Sequence, residues 1–483
     1  MRNIIVSCIL LLIVNQILLA DGTLPEGSGT EEDPYLIANL DNLLYLSTND
    51  YLWSEGYYFS QTADIDASDT ENWNIGDHDN DPDTPDEVKG FSPIGMFHGS
   101  YNGNEYIIEN LLINLPGYFW VGLFGTIEEG NVENLGLINI NIIGGPYVGG
   151  FAGRNIFSTI NNCYTSGTIS STWDIVGGIV GYNNESNISN CHNTANITGY
   201  DDVGGLVGLS NNSTINQCYS DAGIYGESYV GGLVGKTECY TIISNSYSRG
   251  NVDGEEHIGG LVGLFYVVSR VINCYSMGYV NGSNNVGGLV ATGYFSYVND
   301  SFWNTETSGQ TSSYGGTGKT TAEMQDVATY TDLTTIGLDE PWDFVDNPFD
   351  DTAYEDIWDI DPDINNGYPY LTTLPLVGTE EELIPNSSLF IPHLSNHPNP
   401  FNPTTTISFS LTTELTENTE IYIYNVKGQQ VDRLPVILSG VAGLGDRQYS
   451  VIWNAENLSS GIYFYQLKSD NKILSTQKAV LMK

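Results

Sequence analysis

The chain alternates apolar and polar positions in short runs, broken at regular intervals by a glycine-rich phrase. Gly149-Gly150-Phe151-Ala152-Gly153 returns as Gly177-Gly178-Ile179-Val180-Gly181, Gly204-Gly205-Leu206-Val207-Gly208 and Gly231-Gly232-Leu233-Val234-Gly235. Gly259-Gly260-Leu261-Val262-Gly263 and Gly287-Gly288-Leu289-Val290 complete the set, with successive starts 28, 27, 27, 28 and 28 residues apart. Gly122-Leu123-Phe124-Gly125 is a degenerate earlier copy in the same phase. Repetition this tight is the mark of a stacked repeat architecture.

A second phrase lies between the glycine phrases: Ile160 to Tyr164, Ile188 to His192, Ile215 to Tyr219, Ile243 to Tyr247 and Val271 to Tyr275. A third β-type piece follows, such as Asn251 to Gly254 and Tyr279 to Gly282. Three strands of about five residues joined by three turns of about four give a coil of roughly 27. No repeat segment shows a 3.6-residue period, and glycine with β-branched residues dominates. The pattern predicts a parallel β-helix of 27–28-residue coils over residues 116–305. Seven such coils make a body on the order of 30 Å long.

In such a solenoid each coil pairs with the next at ~4.8 Å, so equivalent positions stack into ladders. Inward Leu, Val and Ile build a core that no single coil could bury alone. Cys163, Cys191, Cys218 and Cys274 share one phase, which points to buried free thiols rather than a disulfide framework. Cys239 stands apart, and Cys8 lies in the apolar stretch at the N-terminus. Paired glycines suit a bend where a side chain would crowd the adjacent coil. Asn162, Asn190, Gln217, Asn245 and Asn273 predict an amide ladder at a turn, each amide donating to its neighbour.

These phrases resemble the GLUG-motif proteins, a bacterial group named for the Gly-Leu-any-Gly sequence. Gly27 to Thr30 with Asp33 to Leu36 resembles that group's opening segment, and Ala63 to Asp66, Phe91 to Gly95 and Tyr101 to Asn104 resemble its irregular first coils. Ser308 to Thr320, Trp358 to Ile360 and Tyr368 to Leu371 resemble its far end. The resemblance covers residues 25–372 and implies architecture and exposure rather than a reaction. Residues 21–115 are expected to form an N-terminal cap with irregular coils, and 306–372 an acidic C-terminal cap over the open end of the solenoid.

Residues 373–395 read as a linker. From 396 to 483 the pattern changes to short alternating strands separated by turn residues, which predicts a small β-sandwich. Asn399 to Pro403, Tyr424 to Gly428, Ser460 to Tyr463 and the terminal Lys478-Ala479-Val480-Leu481-Met482-Lys483 resemble the immunoglobulin-like C-terminal sorting domain of the type IX secretion pathway. That resemblance implies handling by the type IX machinery, export across an outer membrane, and then release or surface attachment. The fold class is thus all-β, a parallel β-helix followed by an immunoglobulin-like sandwich.

Charge narrows the partners. Residues 390–483 carry seven basic and seven acidic residues, and everything before them carries seven basic and 52 acidic, the whole net charge of −45. Such a body repels nucleic acid and anionic membranes. Arg2, the apolar stretch Ile9 to Val14 with Ile17 to Leu19, and Ala20 predict a signal peptide over residues 1–20, too short to span a bilayer. No later segment reads as transmembrane. The expected location is extracellular, or the outer surface of a bacterium.

Candidate chemistry is sparse. Asp77, Asp79, Asp81 and Asp83 alternate in a loop and suit calcium, although Pro82 and Val88 stand where an EF-hand needs Gly and Glu. Asp339 to Asp363 holds eleven carboxylates among aromatic residues, a second place for a cation. Gly315 to Thr320 imitates a phosphate-binding loop but has Ser313 where the first glycine belongs. Tyr164, His192, Tyr219, Tyr247, Tyr275 and Phe302 share a phase beside the cysteines, so alternation points their rings outward. Tyr164, Tyr219, Tyr247 and Tyr275 are therefore candidate ligand-binding residues for an extracellular polysaccharide or a host or matrix surface. Ring stacking that merely stabilises the sheet is the alternative. Asp174, Asp201, Asp202 and Glu256 precede the glycine phrases on neighbouring coils, within reach of the spacing a glycoside hydrolase needs. The reading is a non-catalytic, adhesin-like or glycan-binding surface protein. The rival is an extracellular carbohydrate-active enzyme, a glycoside hydrolase or polysaccharide lyase on a β-helix.

Overall fold

The computed structural model describes residues 22–76, 87–345 and 356–373, and in the C-terminal part 395–397, 402–411, 419–425, 430–435, 447–456, 458–469 and 472–483. The chain forms two compact units that meet in sequence at Glu381 and Glu382.

The first unit is a parallel β-solenoid of about nine turns. One coil shows the plan: strands Thr214–Asn216, Tyr219–Ser220, Ile224–Tyr225, Ser228–Gly231 and Val234–Thr237. Five short strands thus replace the expected three longer ones. Gln217, in the left-handed region at φ 52°, separates the first two of these strands, and Tyr240 (φ 51°) follows the last. Every strand pairs in parallel with its counterpart one coil on: Ile215 with Ile243, Tyr219 with Tyr247, Ile224 with Val252, Val230 with Ile258 and Val234 with Val262.

More turns form than the seven counted from the glycine phrases, because the irregular opening segment already coils. Tyr35–Ile37 pairs with Tyr58–Gln61, which pairs with Ser100–Asn102, which pairs with the strand starting at Asn131. Between the first two of these strands runs a helix, Leu40–Thr48, that the sequence reading missed. Asn39 Oδ1 caps it by accepting from the Asn42 amide, and Leu43, Leu44 and Leu46 are buried.

The core is one continuous ladder of Ile, Val, Leu and Cys from Ile37 to Trp303. Cys163, Cys191, Cys218 and Cys274 are free and buried within it, as their shared phase predicts, and Cys239 is exposed. Each buried thiol lies within 3.1–3.3 Å of a carbonyl oxygen two residues earlier. Ser246 replaces cysteine in one coil; its hydroxyl accepts from the Cys218 amide and donates to Ser244 O.

The glycine phrase is where opposite walls meet. A Cβ on Gly232 would collide with the Gly260 carbonyl one coil on and with Ser248 Oγ across the interior. Gly178 and Gly205 face Asn193 and Ser220 in the same way. The amide ladder is present at left-handed positions, with φ from 47° to 52° over Asn162, Asn190, Gln217, Asn245 and Asn273. Its bonds are less regular than expected. Asn162 and Asn273 donate to the equivalent amides of the preceding coil, but Asn190 and Asn245 donate to Asn161 and Asn216, one residue off phase.

The second unit holds two antiparallel sheets. Ser395–His397, Thr404–Leu411 and Arg447–Asn454 form one, and Gln430–Pro435, Thr419–Asn425, Gly461–Ser469 and Lys472–Leu481 form the other. Ile407 and Trp453 from the first sheet share a core with Ile421, Ile423, Tyr463 and Tyr465 from the second. The predicted sandwich is therefore what forms.

Candidate functional site

Strand alternation does send the aromatic phase out of the solenoid core. The rings stack almost face to face: Tyr164 on His192 at 5.0 Å, His192 on Tyr219 at 4.8 Å, Tyr219 on Tyr247 at 4.9 Å and Tyr247 on Tyr275 at 4.8 Å, all within 6° of parallel. Coil spacing alone sets that distance, and it is within the range favoured by aromatic pairs.

The expectation that these rings face solvent needs correction. Tyr219, Tyr247 and Tyr275 are fully buried, and Tyr164 is half-buried. The C-terminal segment adds one strand, Thr317–Lys319, to the last coil and then runs back along the flank of the solenoid. Met324, Tyr330, Leu338, Trp342, Phe344, Trp358, Tyr368 and Leu371 pack with Tyr219, Tyr247, Tyr275 and Phe302 into a second apolar core. The reason is area. A ledge of stacked rings is a large apolar surface, and burial stabilises by roughly 25 cal/mol per Å². The tryptophans of the acidic segment supply a matching face. No ring face of Tyr219, Tyr247 or Tyr275 is left open for a sugar.

Polar contacts fix this strap. Trp342 Nε1 donates to Asp300 O at 2.8 Å, and Asn304 Nδ2 donates to Tyr368 Oη at 2.6 Å. Arg249 links Asp221 on the solenoid with Asn365 on the strap. Thr373 Oγ1 donates to Asn190 Oδ1 at 3.4 Å, so the strap runs back over several coils. Burial holds the His192 imidazole neutral, pushed down to about 3, between two tyrosine rings.

Asp77, Asp79, Asp81 and Asp83 lie outside the described residues; the flanking strands Ile75–Gly76 and Glu87–Val88 pair antiparallel. Among the described residues no group of three or more His, Cys, Asp or Glu side chains is arranged to hold a metal ion. The phosphate-loop imitation is a structural strand: Thr317–Lys319 pairs with Phe302–Asn304, and Lys319 is buried with its ammonium 5.5 Å from the Phe302 ring. Among the terminal tag residues, Ala479 and Leu481 are buried in the sandwich core, while Met482 and Lys483 are exposed.

The carboxylates divide. Asp201 pairs in register with Ser228 and, one coil further, Glu256. Asp202 is buried at a left-handed position, φ 54°, with Lys236 Nζ 3.8 Å away. Burial pushes its carboxyl up to about 7, against the pull of Lys236. Burial also raises Asp201, with Asp174 adding repulsion.

Sequence reading missed an exposed apolar corner on the last coils, formed around Tyr240, Val268 and Phe295. The signal was available. These residues stand where the three coils before them carry Phe157, Glu185 and Asn212, and a periodic alignment of the repeats exposes the run of three apolar corners at the end.

With this geometry in place, the relatives can be set beside it. Residues 395–482 match the secretion system C-terminal sorting domain, and residues 144–170 and 175–198 match the GLUG motif. These define an exported repeat protein, a GLUG solenoid carrying a type IX sorting tail, secreted or held at the cell surface. Among the described residues no helix is long and apolar enough to cross a membrane. Halomucin of Haloquadratum walsbyi is 32% identical over 130 residues, which make up 27% of this chain and 1% of that protein. A putative Gly-rich membrane protein of Evansella cellulosilytica is 38% identical over 146 residues, 28% of this chain and 15% of that protein. The chain thus matches only a small part of each of these relatives' length.

Proposed function

We propose that this chain is a non-catalytic display protein, adhesin-like or glycan-binding, held at or released from the outer surface of a bacterium. In this reading residues 1–20 are a cleaved signal peptide, the type IX machinery handles the C-terminal domain, and extracellular polysaccharide or a host or matrix surface is the partner. The observation that carries it is the pairing of a sorting domain with a rigid solenoid whose exposed corners bear aromatic side chains. Rings with one polar edge are suited to stacking on partly apolar surfaces while keeping water contact.

The carbohydrate-active enzyme keeps one specific observation in its favour. Asp202, buried and raised to about 7, is next in the chain to a second, half-buried acid, Asp201. A raised carboxyl is what a general acid needs.

One experiment separates the readings. Residues 21–389 are incubated with insoluble polysaccharides and with matrix proteins, in calcium and in chelator, and both bound protein and released sugar are measured. Retention without sugar release is the expected result, and its loss in chelator would assign a role to calcium. Released sugar that disappears in Asp202→Asn would replace the display reading with the enzymatic one.

A further inference from the structure

The corner that turns from the glycine-phrase sheet into the isoleucine strand changes character along the solenoid. Its left-handed residue is a lone exposed Phe157 (φ 50°), then Glu185 (φ 50°) and Asn212 (φ 46°) in two successive coils, then Tyr240 (φ 51°), Val268 (φ 58°) and Phe295 (φ 54°) in the last three. The position two residues on is Asn187 and Thr214, then Ile242, Arg270 and Tyr297, paired coil to coil. The outward position one or two residues before the corner is Asn184 and Asn211, then Glu238, Tyr266 and Tyr294. Three rows over three coils thus make a platform of nine positions, seven of them apolar or aromatic.

These seven are exposed. Phe295 is 82% accessible, Tyr240 60% and Tyr297 59%, and Ile242, Tyr266, Val268 and Tyr294 are exposed around them. The Tyr266 and Tyr294 rings meet edge to face at 5.6 Å, so part of the platform is ordered by its own contacts. Nothing in the fold requires apolar residues here, because the preceding two coils make the same corner from Glu, Asn and Thr. Val268 is also β-branched, the residue class least suited to a positive φ. A contiguous exposed apolar patch of this kind marks an interaction surface.

We infer that this corner is a docking platform for a neutral polysaccharide, an inference that rests on the glycan-binding reading above. Charge selects the occupant. The chain carries a net charge of −45, which opposes approach of an anionic polymer, an anionic membrane or a second copy. Within the platform Glu238 and Arg270 cancel, so the docking face itself is neutral. Four of its seven apolar side chains are tyrosines, whose rings take the C–H face of a sugar while their hydroxyls meet its hydroxyl groups. The rows repeat at the coil spacing of ~4.8 Å, which suits a polymer of like units lying along the solenoid axis.

The test uses the whole chain, with insoluble cellulose and chitin as neutral probes and cross-linked pectate as an anionic one. Retention is compared for the parent chain, for the triple substitution Tyr240→Ala, Phe295→Ala and Tyr297→Ala, and for Tyr225→Ala, an exposed ring on another face. The expected result is retention of the parent on a neutral probe, a drop of at least tenfold for the triple variant, and no change for Tyr225→Ala. Unchanged thermal melting of the triple variant shows that folding is intact. Retention equal in parent and triple variant overturns the platform and leaves the glycan reading standing. Parent retention on pectate alone also overturns it. A parent retained on no polysaccharide defeats the glycan reading and the platform with it. If sedimentation shows a parent dimer that the triple variant dissociates, the corner is a self-association surface and the inference falls.

Discussion

The Tyr275 hydroxyl donates a 2.6 Å hydrogen bond to the carbonyl oxygen of Pro369, 94 residues further along the chain. The same hydroxyl accepts from Asn365 Nδ2 at 2.9 Å, so both of its roles are filled by the strap. Tyr275→Phe removes both bonds, but Asn365 Nδ2 still donates to Pro369 O at 2.7 Å, so the cost is that of an ordinary hydrogen bond, about 0.5–1.5 kcal/mol. Trp342→Ala removes one of the two buried tryptophans of the strap at about 3–5 kcal/mol. Denaturant unfolding should rank the two in that order. Trp342→Ala should also expose residues 321–373 to protease before the solenoid unfolds. Equal protease resistance in parent and variant would mean that the strap is not held by this core.

Gly232→Ala should destabilise by about 1–3 kcal/mol, the range for inserting a methyl group where a packed interior must shift. Its Cβ meets a backbone carbonyl and Ser248 Oγ, neither of which is the far end of a flexible side chain. Gly117→Ala is the control, since a Cβ there meets nothing within 4 Å. Similar melting temperatures for the two variants would show that the glycine phrase serves a purpose other than this close approach.

What could be read from the sequence follows from what is local. The spacing of Gly204 and Gly231, and the shared phase of Cys191 and Cys218, fixed the coil length and the inward face, because each coil repeats the same environment. The alternation argument was also correct in sending Tyr219 and Tyr247 away from the core. It could not show that Trp342 and Trp358, about a hundred residues away and outside the repeat, return to cover them. A periodic pattern reports which side of a strand a residue occupies. Whether that side is wet depends on non-periodic chain elsewhere. The first coils were legible only through the family resemblance: Phe59 and Tyr101 are in register, but the loops between them vary too much in length to leave a period.

Thiol reactivity checks the cysteine ladder without mutation. Burial pushes the Cys274 thiol up to about 12 and raises Cys163 as well, so neither offers a thiolate near neutral pH. In the native chain lacking residues 1–20, a water-soluble disulfide reagent should titrate one thiol, Cys239, and in denaturant it should titrate all five. More than one thiol reacting in the native chain would contradict the inward placement of the ladder.

Removal of residues 396–483 should leave the solenoid folded but stop its export to the outer surface, because the match to the sorting domain lies wholly in that unit. Surface labelling of cells producing the truncated and intact chains reads this directly. Surface delivery of the truncated chain would leave the C-terminal unit as an ordinary structural sandwich.

Asp202 gives the solenoid a pH dependence opposite to that of an ordinary ion-paired carboxylate. Burial raises it from 3.8 to about 7, so the folded chain retains a proton there that the unfolded chain has released. Stability from this group is complete below about pH 4 and is lost as pH rises through 7. Asp201, also raised by burial, acts in the same direction. Lys236 and Glu238 stand close by, and Lys236 offsets part of the shift at Asp202. Each tenfold change in proton affinity is worth about 1.4 kcal/mol, which puts the limit for Asp202 at about 4 kcal/mol. Asn resembles the protonated acid in shape and charge. Asp202→Asn should therefore leave stability near pH 4 almost unchanged and raise it near pH 8 relative to the parent. Denaturant unfolding of both chains at the two pH values measures the difference. A gap that is the same at pH 4 and pH 8 would mean that Asp202 stays ionised in the folded chain, with Lys236 compensating its burial in full.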